Sequence, residues 1–224
     1  MKLIGLVRNE NMKLYNMRST WVMLCVSFIS IIVVLLLTTL QSQPLSDYWT
    51  VTFNLFQTEN QILYVILILF VSQIINYEFS YGTAKLLFIR PTSRLQIMIA
   101  KWVSAVQFSL LVLIFNLVSC MLLALPMSAI APLTTDDLHQ LYFLFVIKLA
   151  AFICYATLFF ALAVMIRNTA VFIIMSLVLM GSLQSLPSMI IFPQTGFLFS
   201  AGCWVLFCGS ILIIALTRFQ KSDI

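Results

Sequence analysis

The chain has 224 residues, 62% of them hydrophobic and only 8% charged, with a mean hydropathy of +1.10. Soluble domains carry roughly 45–50% apolar and about 25% charged residues, so this composition excludes an ordinary soluble protein. The net charge of +5 does not indicate a nucleic-acid partner either, because the basic residues cluster where a membrane protein keeps them.

In chain order, residues 1–19 hold Leu3, Leu6, Val7, Leu14 and Met17 at near-helical spacing, interleaved with Lys2, Arg8, Lys13 and Arg18. This pattern predicts an amphipathic helix lying on the lipid surface. Asn9-Glu10-Asn11 interrupts its apolar face, which leaves a frayed basic tail as the competing reading. A charge-free run at 21–40 follows. It is longer than a signal-peptide core and no A-x-A-like site comes after it, so a retained span is expected, not a cleaved leader. Further spans are predicted at about 57–77 (an apolar run at 62–75 extended at both ends), 102–125, 141–165, 170–186 and 197–216. Open strands leave backbone groups unpaired in hydrocarbon, so these runs are helices. The fold class is an all-α integral membrane protein: a single transmembrane domain over 1–224 with six transmembrane helices, expected to be unbroken and nearly charge-free.

The connecting segments sort by charge. Lys2, Arg8, Lys13 and Arg18 precede the first span, and Lys85, Arg90, Arg94 and Lys101 follow the second. Arg167 separates the fourth from the fifth, and Arg218 and Lys221 follow the sixth. The alternate loops contain no basic residue and hold Asp47, Glu59, Asp136 and Asp137. The positive-inside rule therefore expects a multi-pass protein of the cell membrane with both termini in the cytoplasm. The heavy use of Ile, Phe, Leu and Asn suggests a bacterial source.

The stretch 76–101 is longer than a minimal connector. Gly82 takes a positive φ without steric cost and would end the helix descending from the second span. Thr83–Ile89 is long enough for about two turns, with Leu86, Leu87 and Ile89 apolar. Pro91 stops it, since proline disfavours a helical residue before it. Ser93 with Gln96 has capping-box spacing and starts the third span. The expected product is a short cytoplasmic helix held between two spanning helices.

An acidic residue, a Gly-Thr pair, an apolar helix, then P-x-S-R and a lysine seven residues on, placed after the second of six spans, resembles the ATP-binding-cassette (ABC) type-2 permeases. The matching positions are Glu78, Gly82, Thr83, Pro91, Ser93, Arg94 and Lys101. The stretch 186–196, with Pro187 and Pro193 around Met189-Ile190-Ile191-Phe192, resembles the short re-entrant helices of that family between the fifth and sixth spans. The resemblance implies two permease subunits, homo- or heterodimeric, driven by two cytoplasmic ATPase subunits that bind ATP and Mg. Thr83–Ile89 would be the coupling helix, contacting the ATPase through Lys85, Leu86, Leu87, Phe88 and Ile89, with Glu78 and Arg94 holding its orientation.

The ATPase itself is not written in this sequence. A P-loop requires glycine before its lysine, and the residues preceding the six lysines are Met1, Met12, Ala84, Ala100, Ile147 and Gln220. No cofactor of its own and no catalytic or metal-binding residues are expected of the chain. A membrane-embedded protease would need intramembrane histidines, clustered acids or a base, and the only histidine, His139, falls in an exterior loop beside Asp136 and Asp137. Cys25, Cys120, Cys154, Cys203 and Cys208 lie in spans without a C-x-x-C pair and read as small apolar fillers.

Lys148 is the one charge placed inside a span. Either it snorkels to the outer edge or it lines a translocation path, together with Gln107 and Asn116. A largely apolar path suits amphipathic or hydrophobic cargo, such as the antimicrobial or cytolytic peptides and drugs that compact members of the resembled family export. A secondary transporter or channel not driven by ATP is the alternative; such proteins carry midplane charges or helices broken by Gly or Pro.

Overall fold

A computed structural model describes residues 3–40, 48–80, 94–126, 134–166 and 168–190, together with Gly209 and Thr217. Among the described residues there is no strand. The helices are α1 (Leu3–Asn16), α2 (Arg18–Leu40), α3 (Tyr48–Thr58), α4 (Asn60–Ser80), α5 (Arg94–Ala124), α6 (Thr135–Met165) and α7 (Thr169–Ile190).

Three of them are long and apolar enough to cross a membrane alone, over Arg18–Thr38, Leu95–Ala124 and Thr135–Met165. The second predicted span departs from expectation. It is not one helix from about 57 to 77 but a pair, α3 and α4, bent by 44° at Glu59. The apolar helix begins at Tyr48, nine residues before the predicted start, so Glu59 is moved from an exterior loop into the interior of the pair. The sixth predicted span (197–216) and the predicted coupling helix (Thr83–Ile89) lie outside the described residues. So do 191–196 of the predicted re-entrant stretch; its first residues, through Ile190, continue α7.

Local sequence explains where the helices begin. The segment holding Asp136 and Asp137 is not a loop. Thr134 Oγ1 accepts from the Asp137 amide at 3.2 Å, and Asp137 Oδ2 accepts from the Thr134 amide at 3.1 Å. This reciprocal capping box starts α6, and the two acids sit where the helix dipole favours negative charge. His139 therefore stands exposed on a helix. Asn168 caps α7, its Oδ1 accepting from the amides of Ala170 and Val171 at 3.0 and 3.5 Å.

Hydropathy alone could not orient α2, which is apolar all round. Burial orients it. Val22, Val26, Ile29, Val33, Leu36 and Leu40 form an exposed stripe at helical spacing, and Met23, Ser27, Ser30, Ile31 and Leu35 are buried on the other side.

The chain divides into two units. One comprises 1–14, 67–107 and 153–224; within it Leu158 packs with Cys154, Tyr155 and Leu179. The other comprises 15–66 and 108–152. Its interior includes Ile31, Phe56 and Leu63, with Tyr64 and Phe152 stacked at 5.0 Å between ring centroids. The Tyr48 hydroxyl donates to the Met121 carbonyl at 3.0 Å, tying the start of α3 to α5.

Candidate functional site

The break between α3 and α4 holds the most unusual chemistry of the second unit. In an unbroken helix the Phe56 carbonyl would accept from the Asn60 amide. Here it accepts from Lys148 Nζ on α6. The same ammonium lies 3.7 Å from the centroid of the Phe56 ring, a cation–π geometry. Lys148 thus caps the C-terminal end of α3, where helix carbonyls lack partners and a positive charge is favoured. Only 7% exposed, it does not extend into solvent. The snorkelling expectation rested on a helix whose outer edge lay near Val146. Because α6 starts at Thr135, Lys148 lies about 20 Å along the helix at 1.5 Å per residue.

Glu59 sits at the break with 1% exposure. Ser30 of α2 lies 2.8 Å from its Oε2 and 2.7 Å from the Ser27 carbonyl. Glu59 Oε1, Asn60 Oδ1, Ser27 Oγ and Asn116 Nδ2 are buried without a hydrogen-bond partner among the described residues. Asn116 is fully buried on α5, with the Cys120 thiol directed at its Oδ1 at 4.0 Å. Cys120, Glu59 and Lys148 are within electrostatic reach of one another. The result is a buried patch of one acid, one base and several amide and hydroxyl groups in an otherwise apolar surround.

Sequence reasoning placed Lys148 and Asn116 here but missed Glu59, Ser30 and Asn60. A signal was available. Tyr48, Val51, Thr52, Leu55 and Phe56 are buried at helical spacing, and Glu59 falls next on the same face.

A second cluster occupies the first unit. Lys101, 4% exposed, donates to Glu10 Oε2 at 2.9 Å and to the Ile74 carbonyl at 3.3 Å. Lys13 donates to Glu10 Oε1 at 3.0 Å. Burial pushes the Glu10 carboxyl up, but Lys101 and then Lys13 outweigh it and hold it below its usual range. Asn9-Glu10-Asn11 therefore does not fray α1; it carries the helix's polar attachment to α5. Asn11 Nδ2 also donates to Gln107 Oε1 at 2.6 Å, so Gln107, predicted to line a path, is engaged by α1.

Of the remaining predicted site residues, Glu78 lies in the last turn of α4 and Arg94 opens α5. Gly82, Thr83, Lys85, Leu86, Leu87, Phe88, Ile89, Pro91 and Ser93 lie outside the described residues.

Residues 6–183 match the family model described as ABC-2 family transporter protein. Among curated proteins, the uncharacterized protein YhcI of Bacillus subtilis (strain 168) is 36% identical over 75 residues. That stretch is 34% of this chain and 24% of the relative, so the match spans about a quarter of YhcI's length. The apolar helices agree with a family match over most of the sequence, and the chain belongs to the ABC-2 transporter family.

Proposed function

We propose that this chain is the permease subunit of an ATP-driven exporter, paired with a second permease subunit and powered by separate cytoplasmic ATPase subunits. Members of the ABC-2 family are transmembrane components that work with ATPase partners in general, and the family match over 6–183 is the observation that carries the reading. Charge sorting supports cytoplasmic termini, and with them Thr83–Ile89 as the coupling segment on the ATPase side. The few polar groups among so many apolar ones favour an amphipathic or hydrophobic cargo, a peptide or drug.

The test is co-purification and reconstitution with the partner ATPase. Export should require ATP, and replacing Thr83–Ile89 by a Gly/Ser linker should abolish both ATPase capture and export while leaving the chain inserted. Undiminished capture by the linker variant would overturn the coupling role. The broken second span with its buried Glu59 and Lys148 favours a second reading, a transporter not driven by ATP. Flux through proteoliposomes lacking any ATPase would establish that reading instead.

A further inference from the structure

The hydrogen-bond geometry at the broken span contains a proton-counting problem. Ser30 Oγ has one hydrogen and two close acceptors, the Ser27 carbonyl at 2.7 Å and Glu59 Oε2 at 2.8 Å. If Glu59 is ionised, one hydrogen serves both contacts, and Oε1 is an anionic oxygen buried without a donor among the described residues. A buried charge left so poorly solvated is costly. If Glu59 carries a proton on Oε2, that proton is donated to Ser30 Oγ, and Ser30 donates its own to the Ser27 carbonyl. Both short contacts then contain a hydrogen, and Oε1 becomes a neutral carbonyl oxygen, far cheaper to leave unpaired.

The neighbouring groups do not supply the missing neutralisation. On α2, Ser27 and Ser30 are uncharged. On α3 and α4, Thr58 back-bonds to the Asn54 and Leu55 carbonyls, and Asn60 is uncharged. On α5 the nearby groups are Cys120 and Asn116. The one cation is Lys148 of α6, engaged on the Phe56 carbonyl and ring; among the described residues no ion pair joins it to Glu59.

We propose that Glu59 is a proton-binding site within the membrane, occupied in this conformation and emptied when Lys148 leaves the Phe56 carbonyl to pair with it. On emptying, the O–H bond of the carboxyl breaks, the proton passes to water, and the carboxylate faces a lysine that keeps its ammonium charge. The same movement uncaps α3, so proton release and the geometry of the second span change together. The site stands on its own hydrogen bonds and does not depend on which cargo or energy source the transporter uses.

Infrared difference spectroscopy of the full chain in lipid nanodiscs tests this. At neutral pH the wild type should show the C=O stretch of a protonated carboxyl. Glu59→Gln, which keeps the size and hydrogen bonding of the neutral acid, should remove it, and Glu10→Gln should leave it in place. Ser30→Ala deletes the acceptor of the Glu59 proton and should loosen proton binding about tenfold, one hydrogen bond's contribution. Lys148→Met removes the cation that stabilises the emptied state and should tighten it. A neutral-pH spectrum shared by wild type and Glu59→Gln, or a Ser30→Ala variant that holds the proton at least as tightly as wild type, would overturn the proposal.

Discussion

The attachment of α1 to α5 rests on Lys101, and Lys101→Met measures it. The Lys101 side chain is 5% exposed and that of Glu10 14%, so neither charge is well hydrated. Removing one partner of a buried pair costs about 3–5 kcal/mol when nothing replaces it. Here Lys13, half exposed, continues to hold Glu10 Oε1 at 3.0 Å, and some water reaches the carboxylate. We therefore expect less than that range, about 2 kcal/mol, of the order of one hydrogen bond to a charged group. At 1.4 kcal/mol per factor of ten, that corresponds to about thirtyfold faster hydrogen exchange of the α1 amides, read as local opening. Glu10→Gln should be no milder, because it removes the carboxylate that Lys101 and Lys13 share. Glu10→Gln combined with Lys101→Met removes both charges, so the double variant should exchange more slowly than the two single effects predict, by a coupling of about 1 kcal/mol or more. Exchange of α1 in Lys101→Met within about threefold of wild type, or strictly additive single and double variants, would refute this account of the attachment.

Two further expectations follow from local chemistry. Because Glu10 is held below its ordinary range in the folded protein, its contribution is complete above the unfolded carboxylate value and is lost as the pH falls through the lower folded value. Exchange of the α1 amides should accordingly accelerate on acidification in that window, and an α1 that tightens in acid would contradict the assignment. Asn168→Ala removes the cap of α7 and should cost about 1 kcal/mol, accelerating exchange of the Ala170 and Val171 amides about fivefold, while Asn168→Asp should retain most of the protection.

Much of this fold was legible in composition, because hydrocarbon leaves a chain few options. A charge-free run such as 21–40 must be helical to satisfy its own backbone, and the observed α2 matches it closely. The errors share one cause: polar residues were read as solvated. Glu59, Asp136 and Asp137 were assigned to loops on the strength of charge, although Glu59 continues the buried spacing of Tyr48 to Phe56 and Asp137 completes a capping box with Thr134. Glu10 was read as an interruption of α1 because its partner, Lys101, is distant in sequence and could not be seen from local pattern. For Lys148 the sequence offers only the membrane edge or a translocation path. That it answers a carbonyl freed in another helix depends on a break that no single apolar run announces.

The joint at Glu59 also changes what movement costs. An intact helix resists flexing because it must first surrender backbone hydrogen bonds to an environment with no water to replace them. At the bend between α3 and α4 that concession is already made, and a lysine from a neighbouring rod holds the severed end. Swinging one half against the other then exchanges side-chain bonds, those of Lys148 and Glu59, in place of a run of backbone ones, so mechanical compliance is concentrated at the joint while the remaining rods stay stiff.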